Sequence, residues 1–182
     1  ALKGDLGIGH VRYSTTGSTR LQNVQPLVVE CADGIWAVAH NGNLVNAEQL
    51  RRRYQEYGAI FATSMDSEVL VHLLADPRYI SSNGNGRVAS ALSQLHGAFC
   101  FLLMTKDCVM AARDPQGFRP LSIGRLGEGD VFASETCAFG TTGAEYIRDV
   151  EPGELVVADS SGLHSKIFEA KPVRRAQCVF EQ

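Results

Sequence analysis

The 182-residue sequence has no run of about 18 apolar residues, the length a bilayer-spanning helix needs, so no membrane partner is expected. It has no basic stripe either. Lys and Arg total 17 against 20 Asp and Glu, a formal net charge of -3, which leaves nucleic acid without an electrostatic footprint. The densest basic run, Arg51, Arg52 and Arg53, falls in an amphipathic segment and is expected to be a solvated helix face. Cysteine is sparse: Cys31, Cys100, Cys108, Cys137 and Cys178 are odd in number and irregularly spaced. That spacing lacks the density of a disulfide framework and points to a reducing, cytoplasmic compartment. Cys100 and Cys108 sit in apolar strand-like runs and are expected to be buried as small hydrophobes. No internal repeat or low-complexity block is present.

What remains is a composition with 45% hydrophobic residues, enough for one domain with a sizeable core. Three segments carry helical spacing. The first starts at Asn46 as N-cap, aligns Ala47, Leu50, Tyr54 and Tyr57, and ends at Gly58. The second starts near Asp66, aligns Val69, Leu70, Leu73 and Leu74, and stops at Asp76-Pro77. The third runs from about Arg87 to Leu95, with Gly97 closing it. Ser81 to Gly86, between the last two, is expected to be a flexible connector. Short strands are predicted at 26–31, 35–39, 98–104, 108–112, 120–123, 131–133, 154–158 and 163–168. Tight links at 32–34, 106–107 and 159–162 favour antiparallel hairpins. The fold class expected is α+β, with antiparallel sheets covered by helices.

Three stretches have polar and glycine content wrong for plain core or surface. In Gly9-His10-Val11-Arg12-Tyr13-Ser14-Thr15-Thr16-Gly17, one arginine lies among hydroxyls. A planar guanidinium grips a carboxylate bidentately, though a strand ending in a Ser/Thr turn accounts for the segment alone. Ala39-His40-Asn41-Gly42-Asn43-Leu44 contains Asn-Gly, which ordinarily marks a hairpin turn. The same pair offers a side-chain amide and an unobstructed backbone N–H, the two donors of an oxyanion hole. Thr63-Ser64-Met65-Asp66-Ser67-Glu68 opens the second helix, where Asp66 is most economically an N-cap, a role that does not exclude holding an α-amino group.

Taken together and in this order, "GHVRYSTTGS", "AHNGNLVNAEQLR" and "TSMDSEVLVHLL" resemble the class II glutamine amidotransferases. "ARDPQGFRPLSIG" and "ASETCAFGTTGAEYIRDVEPGEL" extend the likeness over nearly the whole chain, most closely toward the amidophosphoribosyltransferase branch. A Tyr13 and a Thr16, where amino-sugar synthases carry Trp and His, favour that branch. The resemblance implies a four-layer αββα N-terminal-nucleophile glutaminase fold. It gives Arg12 the glutamine α-carboxylate with Thr15 beside it, makes Asn41 and Gly42 the oxyanion hole, and gives Asp66 the α-amino group. Asp114-Pro115-Gln116-Gly117 is expected to be a type I turn, with Arg113 and Arg119 as structural pairing groups.

The resemblance also implies a terminal cysteine as nucleophile, and position 1 is alanine. Both ends are therefore expected to be cuts, with the nucleophile and the first strands of the sheet lying upstream. Residues 1–172 would be the glutaminase domain and 173–182 the start of a linker to a phosphoribosyltransferase domain. In "AQCVFE", Cys178 matches a [4Fe–4S] ligand of cluster-bearing relatives, and Mg²⁺ is expected at the second domain. The function implied is glutamine hydrolysis supplying ammonia to 5-phosphoribosyl 1-diphosphate, the first step of purine biosynthesis, in a homo-oligomer. The alternatives are another class II enzyme, making an amino sugar or asparagine, and a non-catalytic glutamine-binding module.

Overall fold

A computed structural model describes residues 4–11, 21–32, 34–79 and 84–169. Strands β1 (Leu27–Cys31) and β2 (Gly34–Leu44) form a hairpin. Helices α1 (Ala47–Glu56), α2 (Glu68–Ala75) and α3 (Gly84–Leu92) follow, then strands β3 (Gly97–Met104) and β4 (Cys108–Arg113). Next come β5 (Ser122–Leu126), β6 (Gly129–Ala133), α4 (Cys137–Thr142), β7 (Glu145–Asp149), β8 (Glu154–Asp159) and β9 (Gly162–Ile167). Every pairing is antiparallel. One sheet has the order β1-β2-β3-β4-β8-β9 and the other β6-β5-β7.

Period-2 alternation assigns the layers. On β2, Trp36, Val38 and Leu44 join Phe99, Phe101 and Leu103 of β3 on one face, against Leu50, Tyr54, Leu70, Leu73, Val88 and Leu92 of the helices. On the opposite face Cys100, Ala111 and Val156 meet Leu121, Ile123 and Val150 around the smaller sheet. Gly124, the next residue after Ile123, faces outward. A Cβ there would lie 2.9 Å from the ring of Phe139, so α4 packs directly on the β5 backbone. The stack is α1–α3, six strands, three strands, α4: four layers, αββα. Helix α2 is apolar nearly all round because it is enclosed by α1, α3 and the sheet.

Several expectations shift. Strand β2 runs through Asn41 and Gly42 to Leu44, so Asn-Gly is strand interior and not a hairpin turn. Gly84 to Gly86 form the first turn of α3 instead of a connector. Strand β7 and helix α4 were not foreseen, and β5 begins at Ser122, two residues late. The 114–117 turn closes as expected, with Gly117 N–H donating to the Asp114 carbonyl at 3.0 Å. Arg113 braces it, donating to the carbonyls of Arg119, Val150 and Gly117. Cys100 is buried, whereas Cys108 is only half-buried. Among the described residues no helix is long and apolar enough to cross a membrane.

Candidate functional site

Asn41 and Gly42 lie opposite Cys100 and Phe99 in the β2–β3 ladder. Gly42 has φ +150°, and a Cβ at this position would stand 2.1 Å from the Ala98 carbonyl oxygen. No side chain fits, so the strands approach here as only glycine allows. Phe99 spends its hydrogen bonds on the other neighbour: its carbonyl accepts from Asp114 N–H at 2.8 Å and its N–H donates to the Asp114 carboxylate. In an antiparallel ladder this turns the Gly42 N–H away from β3, toward the edge where β1 has ended. Along that edge His40 N–H donates to Gln25 Oε1 at 2.6 Å and Leu44 N–H donates to Asp66 Oδ2 at 2.9 Å. The Gly42 N–H falls between the two. The Asn41 amide points to the opposite face of β2, is half-buried, and makes no hydrogen bond among the described residues.

Asp66 does not serve α2 as its side-chain cap. The N-cap position falls to Ser67, and the Asp66 carboxylate leans onto β2 instead. Its Oδ1 stands 3.4 Å from His40 Nδ1. Burial pushes the carboxyl's pKa up, but the His40 imidazole and the N–H groups of Leu44 and Ser67 outweigh that and hold it below the ordinary value. Asp66 is therefore an anion near neutrality with a quarter of its side chain open to solvent.

The loop carrying Asp66 is pinned by residues whose roles were not foreseen. Glu68, buried, accepts from Ala62 N–H, Thr63 N–H and Thr63 Oγ1 at 2.7–2.8 Å. Arg51 donates to the Thr63 and Met65 carbonyls and lies over the Phe61 ring. It is thus an anchor, and the expectation of a solvated face holds for Arg52 and not for Arg51. Asn23, 1% exposed, makes a reciprocal amide pair with Ser64: Nδ2 donates to Oγ at 2.9 Å and Ser64 N–H donates to Oδ1 at 3.1 Å. Residues 21–25 are thereby tied both to the Asp66 loop and, through Gln25, to His40. The sequence signal for these residues was weak: each is a polar side chain beside a turn, and each partner is 5 to 41 positions away.

Arg12, Thr15 and Cys178 lie outside the described residues. Among the described residues no group of three or more His, Cys, Asp or Glu side chains is placed to hold a metal ion. A cavity of about 560 Å³ opens between the β3–β4 turn, β6 and the β8–β9 turn, lined by Leu102, Asp107, Val109, Phe132 and Asp159. It shares no residue with Asn41, Gly42 or Asp66 and lies apart from them.

A model of the glutamine amidotransferase domain matches residues 10–141. The chain is 47% identical to amidophosphoribosyltransferase 3, chloroplastic, of Arabidopsis thaliana, over 99% of its own length and 34% of that protein. It is 45% identical to the amidophosphoribosyltransferase of Bacillus subtilis, over 99% of its length and 37% of that protein. It therefore spans about a third of the curated relatives it matches. The solved glutamine phosphoribosylpyrophosphate amidotransferase from B. subtilis, complexed with ADP and GMP, superposes with a TM-score of 0.85 at 45% identity. That match covers 93% of this chain and 36% of that one. A predicted glutamine amidotransferase from Pseudomonas aeruginosa shares the fold alone, at 18% identity, a TM-score of 0.57, and coverage of 80% and 66%. With its four layers, its antiparallel sheets and a family match over most of its length, the chain belongs to the glutamine amidotransferase domain family.

Proposed function

We propose that this chain is the glutaminase domain of an amidophosphoribosyltransferase, spanning residues 1–172, with 173–182 leading toward a phosphoribosyltransferase domain. The observation that carries the reading is the edge of β2, where the anionic Asp66, held by Leu44 N–H, meets the strand two residues beyond a Gly42 N–H that is turned away from β3. Glutamine presents a carboxylate, an ammonium and an amide. Asp66 takes the ammonium, Arg12 with Thr15 takes the carboxylate, and the side-chain amide then reaches Asn41 and Gly42.

The chemistry follows from that placement. A thiolate adds to the amide carbon, and the negative charge collects on the carbonyl oxygen. The Asn41 amide and the Gly42 N–H donate to that oxygen more strongly than to the neutral carbonyl, which lowers the barrier. As the adduct collapses, the proton taken from the thiol passes to the leaving nitrogen, the C–N bond breaks, and ammonia departs from a thioester that water splits to glutamate and the free thiol. Cys100, opposite Asn41, is no candidate for the attack, because its Sγ is buried and lies 3.5 Å from the carbonyls of Arg119 and Pro120. We assign the attack to an N-terminal cysteine of the intact enzyme that is not among these 182 residues.

In the intact enzyme the ammonia would react with 5-phosphoribosyl 1-diphosphate to give 5-phosphoribosylamine and pyrophosphate, with Mg²⁺ at that second site. Cys178 would supply one thiolate to a [4Fe–4S] cluster whose other ligands lie elsewhere, since one cysteine does not hold a cluster. A homo-oligomer in the cytoplasm completes the reading. The identities of 45–47% to amidophosphoribosyltransferases favour this branch over an amino-sugar or asparagine enzyme.

The test is made in the intact enzyme. Arg12→Ala is expected to abolish glutamine-dependent synthesis and spare ammonia-dependent synthesis. Asn41→Ala is expected to lower glutaminase turnover by about 10²–10³, the loss for one oxyanion donor. Equal loss of both syntheses in Arg12→Ala, or unchanged turnover in Asn41→Ala, would remove the assignments.

A further inference from the structure

His40 is absent from the contacts assigned to glutamine, yet it is among the most firmly held side chains beside them. It is 5% exposed, and its ring stacks on Phe101 with centroids 4.4 Å apart and planes 14° from parallel. Gln25 Oε1 accepts its N–H, and His10 Nε2 stands 3.1 Å from its carbonyl. Among the described residues its buried Nε2 has no hydrogen-bond partner. An apolar side chain of similar volume would stack on Phe101 without that cost. The polar contact that sets histidine apart is Nδ1 to Asp66 Oδ1, at 3.4 Å. The other Asp66 oxygen is taken by Leu44 N–H. The N–H groups of Leu44 and Ser67 thus hold the carboxylate, and His40 Nδ1, four residues before Leu44 on the same strand, stands against its other oxygen.

We propose that His40 is a positioning residue, whose Nδ1–H sets the Asp66 carboxylate in the orientation that selects the α-ammonium group of the substrate. The inference rests on Asp66 as the ammonium partner. In the Nδ1–H tautomer the ring donates to Asp66 and keeps only a lone pair at the buried Nε2. Stacking on Phe101 holds the ring plane, so the carboxylate is fixed before substrate arrives. His40 touches no reacting atom; it acts through Asp66.

The experiment uses the intact enzyme and two amides, glutamine and 4-carbamoylbutanoate, which is glutamine without its amino group. The readout is the ratio of their kcat/KM values. His40→Gln moves the donor to the Nε2 position and is expected to lower the ratio by about tenfold, through glutamine KM and not kcat, as for one lost hydrogen bond to a charged group. His40→Asn carries an amide N–H where Nδ1 stood and is expected to restore the ratio to within about threefold of wild type. Ammonia-dependent synthesis stays unchanged in both. Retention of the wild-type ratio by His40→Gln overturns the proposal, as does an equal loss in His40→Asn. Joint loss of ammonia-dependent synthesis marks a purely structural role and overturns it too. Asp66→Asn separates the two levels: if it loses the ratio while His40→Gln keeps it, only His40 fails. If Asp66→Asn itself keeps the ratio, the ammonium assignment fails and takes the proposal with it.

Discussion

At Gly42 the backbone has φ +150°, and a Cβ would stand 2.1 Å from one carbonyl oxygen and 2.8 Å from the Cα of Phe99. Both obstacles are backbone, so no rotamer change relieves them. Gly42→Ala is expected to cost at least about 2 kcal/mol, combining a disfavoured φ with overpacking. It is also expected to displace the N–H assigned to the oxyanion. Denaturant unfolding of the variant checks the first part, and a midpoint equal to wild type would show that the strands separate more easily than their geometry implies. Asp66 is instructive beside it. Its place before a helix made an N-cap the natural expectation, yet its oxygens go to Leu44, 22 positions back, and to His40. A cap is a local bond and is legible in sequence; a carboxylate leaning on a strand is visible only once the strand is placed.

Elements were legible where periodicity alone decides them. Helices α1 and α2 and the β1–β2, β3–β4 and β8–β9 hairpins fall where apolar spacing and turn residues put them. β2 runs past its expected end because Asn-Gly, ordinarily a turn, is kept extended by the pairing of Asn41 to Leu44 with β3. Helix α4 has six residues and one buried anchor, Phe139, too few for a period. The α1–α2 junction shows a further long-range device. Asp76, just past the end of α2, accepts from Tyr54 Oη of α1 at 2.8 Å and pairs with Arg78 at 2.5 Å. The Arg78 guanidinium, chiefly, holds the Asp76 carboxyl down at about 2, against burial that pushes it up. The depressed value sets the sign. The stabilisation is complete above the ordinary carboxylate pKa of about 4 and is lost as pH falls from there through about 2. Asp76→Asn is expected to flatten that part of the stability curve and leave the region above about pH 5 parallel to wild type. Unfolding curves measured across this range test it; an unchanged acid limb would mean that the pairing contributes nothing to stability.

On the scale of the whole molecule, the candidate site belongs to the boundary between layers. β2 contributes Val38 and Leu44 to the helix-covered core while its Gly42 and Leu44 N–H groups line the edge where Asp66 sits. This divides core substitutions into two kinds. Leu73, on α2, and Phe101, on β3, are both fully buried in the same apolar cluster. Leu73→Ala is expected to cost about 2–5 kcal/mol and Phe101→Ala about 3–5 kcal/mol, each from lost transfer energy and an unfilled cavity. Their effects on substrate diverge. Leu73 sits in the core on α2, whereas Phe101 carries the His40 ring at 4.4 Å, and His40 faces Asp66. Glutamine KM, measured in the intact enzyme at a temperature where both variants stay folded, is expected to rise for Phe101→Ala and to stay near wild type for Leu73→Ala. A parallel rise in both would mean that the site responds to overall stability. A rise confined to Phe101→Ala would trace the path from core to carboxylate through one stacked ring.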